Sequence, residues 1–215
     1  GIYARAKADP QRILFTETES NEILSAADVL INQKMAKLVL LGKKANLIKE
    51  SKKKNIDIDW NYVEVIDPAD FSLSEEFTKK LYEKRQRKGM TYSEANDYIK
   101  YHKNYLAAIM LDQGYVDAVI TGQICSYAAG IIPFLKILKD NTKKENPIVA
   151  GIYIMLIKEQ IYVLADTTVN INPDEETLAR ITVETINLAK KVVGIDPVVA
   201  MLSFSNFGGT DNSAT

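Results

Sequence analysis

Apolar residues along this chain alternate between compact runs and longer stretches of helical spacing. Arg12-Ile-Leu-Phe-Thr-Glu17 predicts a short strand followed by a polar loop. Ile23, Leu24, Ala27, Leu30 and Ile31 then fall on one face of a helix across residues 21–33. Lys37-Leu-Val-Leu-Leu-Gly42 predicts a second buried strand closed by glycine, a Lys-rich helix runs to about Lys54, and Tyr62-Val-Glu-Val-Ile66 predicts a third strand. Strands alternating with helices in this way build βαβ units, so the expected fold is α/β with largely parallel sheets and flanking helices.

Two helices are predicted next, over residues 74–88 and 93–113, with Gly114 ending the second and Val116-Asp-Ala-Val-Ile-Thr-Gly122 forming another central strand. The stretch from Ala118 to Leu135 carries no formal charge, which raises the question of a membrane span. Gln123, Ser126, Gly130 and Pro133 interrupt it, and a strand, a loop and a helix start account for it better. The polar segment 140–147 ends in proline and marks the expected boundary between a first subdomain, 1–146, and a second, 147–215. In the second, apolar runs on either side of Lys158-Glu159-Gln160 predict a hairpin. A helix over 173–193 is expected to be capped by Asn172, with Pro173 first, acidic residues in its opening turn, Lys190 and Lys191 in its last, and Gly194 after it. Pro197-Val-Val-Ala-Met-Leu202 predicts a last strand.

Composition narrows the class. The 215 residues suffice for one large domain or two smaller ones, and 47% hydrophobic content supports a real core. With 27 basic and 28 acidic residues there is no global charge to drive nucleic-acid or membrane binding. The single cysteine, Cys125, forms no internal disulfide and fits a reducing, cytoplasmic setting; the N-terminus lacks the apolar core of a signal peptide.

Several residues could carry chemistry. Ser203-Phe-Ser-Asn-Phe-Gly-Gly209 follows an apolar run, and in an open parallel sheet ligands bind beyond the carboxyl ends of strands. Glycines and hydroxyls there suit an anion, although an ordinary strand-to-helix turn has the same composition, and the Walker ending is missing. Arg85 continues the i, i+4 row of Leu73, Phe77 and Leu81, which directs it along the apolar helix face, toward either a phosphate or a buried carboxylate. The neighbouring Lys79, Lys80, Lys84, Arg87 and Lys88 fit a solvated face. Asp166 and Asn170 either orient a ligand or close a turn. His102 lies in a polar stretch and is expected at the surface, and Cys125 is expected to be a structural thiol, no histidine being placed by sequence to activate it. No metal-ligand spacing is present.

Four ordered segments carry a family resemblance: Arg87-Lys-Gly-Met-Thr91, Tyr105-Leu-Ala-Ala-Ile-Met-Leu-Asp-Gln-Gly-Tyr-Val-Asp-Ala-Val-Ile-Thr-Gly122, Leu164-Ala-Asp-Thr-Thr-Val-Asn-Ile-Asn-Pro173 and Val199-Ala-Met-Leu-Ser-Phe-Ser-Asn-Phe-Gly208. Together they resemble the phosphate acetyl/butyryl transferase family. Tyr3-Ala-Arg-Ala-Lys-Ala-Asp-Pro-Gln-Arg-Ile-Leu-Phe15 with Ser205-Asn-Phe-Gly208 resembles, more narrowly, the phosphotransacetylase-like domain of bacterial hybrid NADP-dependent malic enzymes.

The resemblance implies two α/β subdomains around a cleft, homo-oligomerisation, and a site for acetyl-CoA or a related CoA ester. Arg85, Asp166, Asn170, Ser203, Ser205, Asn206, Gly208 and Gly209 are the ligand-binding candidates; no catalytic residue is assigned. A second family arginine lies in a Leu-Arg-Pro motif that corresponds here to Ile131-Ile-Pro133, so Ile132 brings no charge to phosphate. The family's Ser-Arg and Asp catalytic segment corresponds to positions beyond Thr215, and the chain is expected to be an incomplete protein that stops inside its ligand loop. The expected role is a regulatory, acetyl-CoA-binding domain of a malic enzyme, with NADP and a divalent metal held by a separate domain. An active phosphate acyltransferase and an oligomerisation scaffold with an empty cleft are the rivals.

Overall fold

Four short apolar runs pair in parallel in the computed structural model, which describes residues 2–138 and 148–202. After a short exposed helix, α1 (Ile2–Ala8), they are β1 (Gln11–Phe15), β2 (Ala36–Leu41), β3 (Val63–Ile66) and β4 (Ala118–Ile120). The strand order is β3-β2-β1-β4, with Ile13 opposite Leu38 on one side and Ala118 on the other. Helices cover both faces, α2 (Asn21–Asn32) and α3 (Lys44–Lys53) following β1 and β2, and α4 (Ser74–Arg85), α5 (Tyr92–Tyr101), α6 (Lys103–Asp112) and α7 (Tyr127–Leu138) coming later.

The pleat divides the core. Val39 and Leu41 pack with Leu81, Ile99, Leu106 and Ile137 on one face, while Leu38 and Leu40 pack with Leu24, Ala27 and Leu47 on the other. A parallel strand buried on both faces reads as an unbroken apolar run, which is why β2 was so legible. Residues 105–110 of α6 are all buried, so that helix is apolar around its whole circumference.

Cα packing divides the chain into two compact units, Gly1–Glu145 and Asn146–Thr215. The second contains an antiparallel hairpin, β5 (Ile152–Ile157) with β6 (Gln160–Ala165), and a helix, α8 (Glu175–Leu188), that continues as a π-turn through Val193 to Gly194 at φ 78°.

Five expectations need correction. The run 116–122 gives a three-residue strand, β4, at the end of the four-stranded sheet and not a central one. Lys84, expected on a solvated face, is drawn in by an ion pair to the buried Asp112 carboxylate at 2.8 Å. The helix over 93–113 is two helices, because His102 is extended (φ −121°, ψ 86°), with its ring packed against Tyr98, which itself packs on Tyr105. Thr91 and Glu94 form a capping box at the start of α5, so that helix is anchored at its own N-terminus. The cap of α8 is Asp174, whose carboxylate accepts from Thr177 N at 2.8 Å; Asn172 and Pro173 precede it. Residues 197–202 form no strand, since an apolar run becomes one only beside a neighbour with free backbone groups, and none pairs with it among the described residues. No helix among the described residues is long and apolar enough to cross a membrane.

Leu106 is fully buried where α6 meets the sheet. Leu106→Ala is therefore expected to lower the unfolding free energy by about 2–5 kcal/mol, seen as a lower urea midpoint at unchanged slope.

Candidate functional site

The sheet order sets the location. The chain leaves β1 toward β2 and β3 on one side, then crosses back to β4 on the other, so the loops after β1 and β4 diverge. Such a switch point opens a crevice at the carboxyl ends of the strands. A cavity of about 670 Å³ lies there, lined by Thr16, Glu17 and Glu19 after β1, His102–Tyr105 at the start of α6, and Ile124–Pro133 residues from the β4–α7 turn and α7. That volume is within the range of small-molecule sites.

The few polar side chains that line it, Thr16, Glu17 and Asn104, are tied to the β4–α7 turn behind them. Thr16 Oγ1 lies 3.0 Å from Thr121 Oγ1, which donates to Asn104 Oδ1 at 2.9 Å. Asn104 Nδ2 donates to the Ala129 carbonyl at 3.1 Å and approaches Cys125 Sγ at 3.8 Å. The Glu17 carboxylate, only 9% exposed, accepts from Gln123 N at 2.6 Å and Cys125 N at 2.7 Å. Burial pushes its pKa up, but the N–H groups of Cys125, Gln123 and Ile124 outweigh that and hold it below the usual carboxylate range. Thr18 Oγ1 donates to the Leu41 carbonyl at 2.6 Å, tying the same loop to the end of β2.

The opposite wall is apolar. Ile124, Ala128, Ala129, Ile132 and Pro133 line it, with Ile124 and Ile132 64% and 41% exposed. Lys103, on the rim, is ion-paired with Glu19. The arrangement suits an uncharged or apolar group against α7, with hydrogen-bonding groups beneath.

Arg85 does not line this cavity. It ends α4 half-buried below Leu81, as its i, i+4 row implies, and its Nη1 donates to the Lys136 carbonyl of α7 at 3.3 Å. Lys136 Nζ in turn donates to Tyr105 OH at 3.1 Å. His102 is exposed at the cavity rim, and Cys125 is half-buried beside Asn104 and Thr121.

Asp166 and Asn170 are brought together in the second unit, and with each other. Asp166 Oδ1 accepts from Gly151 N (2.7 Å), Thr168 N (3.1 Å) and Val169 N (3.1 Å), while Oδ2 accepts from Asn170 N (2.7 Å) and Nδ2. Asn170 Nδ2 also reaches the Val149 carbonyl at 2.8 Å. Gly151 fits closely at this crossing: a Cβ there would sit 2.3 Å from Thr168 Oγ1, so a side chain would require that hydroxyl to move. The pair closes the turn after β6. Ser203, Ser205, Asn206, Gly208 and Gly209 lie outside the described residues.

Sequence reasoning missed Glu17 and Asn104. A carboxylate two residues past a central strand was a usable signal for Glu17; Asn104, in a polar helical stretch, offered none.

Burial raises the Asp166 pKa, but its backbone N–H donors outweigh that and lower it to about 2. A folded pKa below the unfolded value adds stability above the unfolded pKa that is lost as pH falls through the folded one. Between pH 5 and 2 this carboxylate is expected to account for about 1–2 kcal/mol of lost stability after allowing for partial exposure. Asp166→Asn should remove that part of the pH dependence in urea titrations.

Comparison with known proteins gives a consistent picture. The family model for phosphate acetyl/butaryl transferase matches residues 1–215. The phosphate acetyltransferase of Clostridium acetobutylicum is 35% identical over 213 residues, covering 96% of this chain and 62% of its own length. The NADP-dependent malic enzyme of Haemophilus influenzae is 33% identical over 214 residues, covering 98% of this chain and 28% of its own. The EutD phosphotransacetylase structure from Staphylococcus aureus matches with a TM-score of 0.83 at 28% identity, over 99% of this chain and 62% of that one. The chain thus spans less than two thirds of the length of each of these relatives.

Proposed function

The chain belongs to the phosphate acetyl/butaryl transferase family, and on that premise we propose that it is an acetyl-CoA-binding regulatory and oligomerising domain of a hybrid NADP-dependent malic enzyme. The parent reaction is then the oxidative decarboxylation of malate to pyruvate. The observation that carries this reading is Ile132 on the apolar wall of the cavity, at the place where the family resemblance puts an arginine. Acyl transfer to phosphate needs cations for the phosphate, a base for the CoA thiol and donors for the developing oxyanion. An isoleucine supplies no charge, and one lost charge-assisted contact is worth about 1.5–3 kcal/mol. The apolar wall still suits the acyl and pantetheine part of a CoA ester, with Thr16 and Asn104 as the neutral polar side chains on the other side. The malic enzyme among the relatives supports the assignment of a parent. NADP and a divalent metal would be bound by another part of that parent; among the described residues no group of three or more His, Cys, Asp or Glu side chains could hold a metal ion.

A working phosphate acyltransferase is the second reading. It is favoured by the Clostridium acetobutylicum and Staphylococcus aureus relatives, whose names are those of phosphate acetyltransferases.

Titration calorimetry of the intact protein with acetyl-CoA, beside an assay of CoA-dependent acetyl phosphate turnover, separates the two. Saturable acetyl-CoA binding with turnover at the blank level is the expected result. Turnover well above the blank would establish the second reading, and no binding at millimolar acetyl-CoA would sink the regulatory one.

A further inference from the structure

Among the described residues the turn Thr121–Ser126 has no ladder partner of its own. It joins β4 to α7, and residues 122–124 face solvent, yet it shapes one side of the cavity. Its ends are fixed by Thr121 Oγ1, bonded to Asn104, and by Ser126 Oγ, which accepts from Ala129 N at 3.3 Å. Between those ends the backbone donors Gln123 N and Cys125 N both point to one carboxylate, that of Glu17, which is reached from β1 across more than a hundred residues of sequence.

We propose that Glu17 is a positioning residue that fixes the Thr121–Ser126 turn and so sets the shape of the cavity wall, whichever ligand the cavity takes. A carboxylate offers two oxygens, one for each N–H; a neutral amide offers one oxygen and turns a donor against the other N–H. Its buried, hydrogen-bonded, ionised state gives the strong form of such bonds. Without the charge the middle of the turn has only solvent to satisfy its donors, and local opening becomes easier than unfolding of the sheet below.

The chain's single cysteine, Cys125, lies in this turn, and its side chain also contacts the Glu17 carboxylate. Its reactivity therefore reads loss of that contact together with opening of the turn, and exchange of the Gln123 amide isolates the opening. In the 215-residue chain, Glu17→Gln is expected to raise the rate of Cys125 modification by an aromatic disulfide reagent about tenfold, with Glu17→Asp intermediate and the circular dichroism spectrum unchanged. In the unaltered chain, the Gln123 and Cys125 amides are expected to exchange with solvent about a hundredfold more slowly than that of Gly122. A folded Glu17→Gln chain with an unchanged Cys125 rate overturns the proposal, as does exchange of those two amides at the rate of Gly122. Should Glu17→Gln fail to fold, the amide measurement decides. Neither readout involves acetyl-CoA, so a failure to bind that ligand leaves this inference standing and counts only against the functional reading.

Discussion

A parallel sheet cannot leave a face in water and cannot be closed by tight turns, and this constraint organises the first unit. Each parallel step from β1 to β2 to β3 needs a crossover, and the crossovers deliver the helices that cover both faces. Because β1 sits inside the sheet with neighbours on each side, the loops at its carboxyl end and that of β4 must part. The cavity follows from that parting and not from any special residue. Ile124, Ala128, Ala129, Ile132 and Pro133 then make it mostly apolar, and Thr16, Glu17 and Asn104 supply its polar side.

Charge is handled the same way in both units. Glu17 and Asp166 each sit at the carboxyl end of a strand, and each gathers backbone N–H groups from a nearby turn. A carboxylate so satisfied stays ionised despite burial and acts as a knot in the backbone. It is then badly placed to act as a general base, since its lone pairs are occupied and its proton affinity is low. The family membership of the chain thus sits beside a first unit whose cavity has an apolar wall and a carboxylate, Glu17, that accepts from two backbone N–H groups.

The sheet and most helices were legible in the sequence because their signals are local. Leu38–Leu41 form an unbroken apolar run since both faces are covered, and the inward direction of Arg85 followed from the row above it. The break at His102 was hidden because no glycine or proline marks it; the extended residue is accompanied by packing of its ring on Tyr98. Residues 197–202 have the composition of a strand, but pairing depends on a neighbour that composition does not supply. Glu17 escaped notice for the related reason that both its partners lie more than a hundred residues away.

That distance also orders events in time. β1 and β2 can pair once about forty residues exist, as their register joins Phe15 to Leu40. The far side of β1 must wait for β4, with 105 residues separating Arg12 from Asp117. At about 5–20 residues per second on the ribosome, that interval is roughly 5–20 s. Through that time one edge of a central strand stands open, with its apolar side chains and backbone groups unmatched. Among the described strands the β1–β4 crevice is therefore the last to form, and premature association at that edge is the hazard this topology carries.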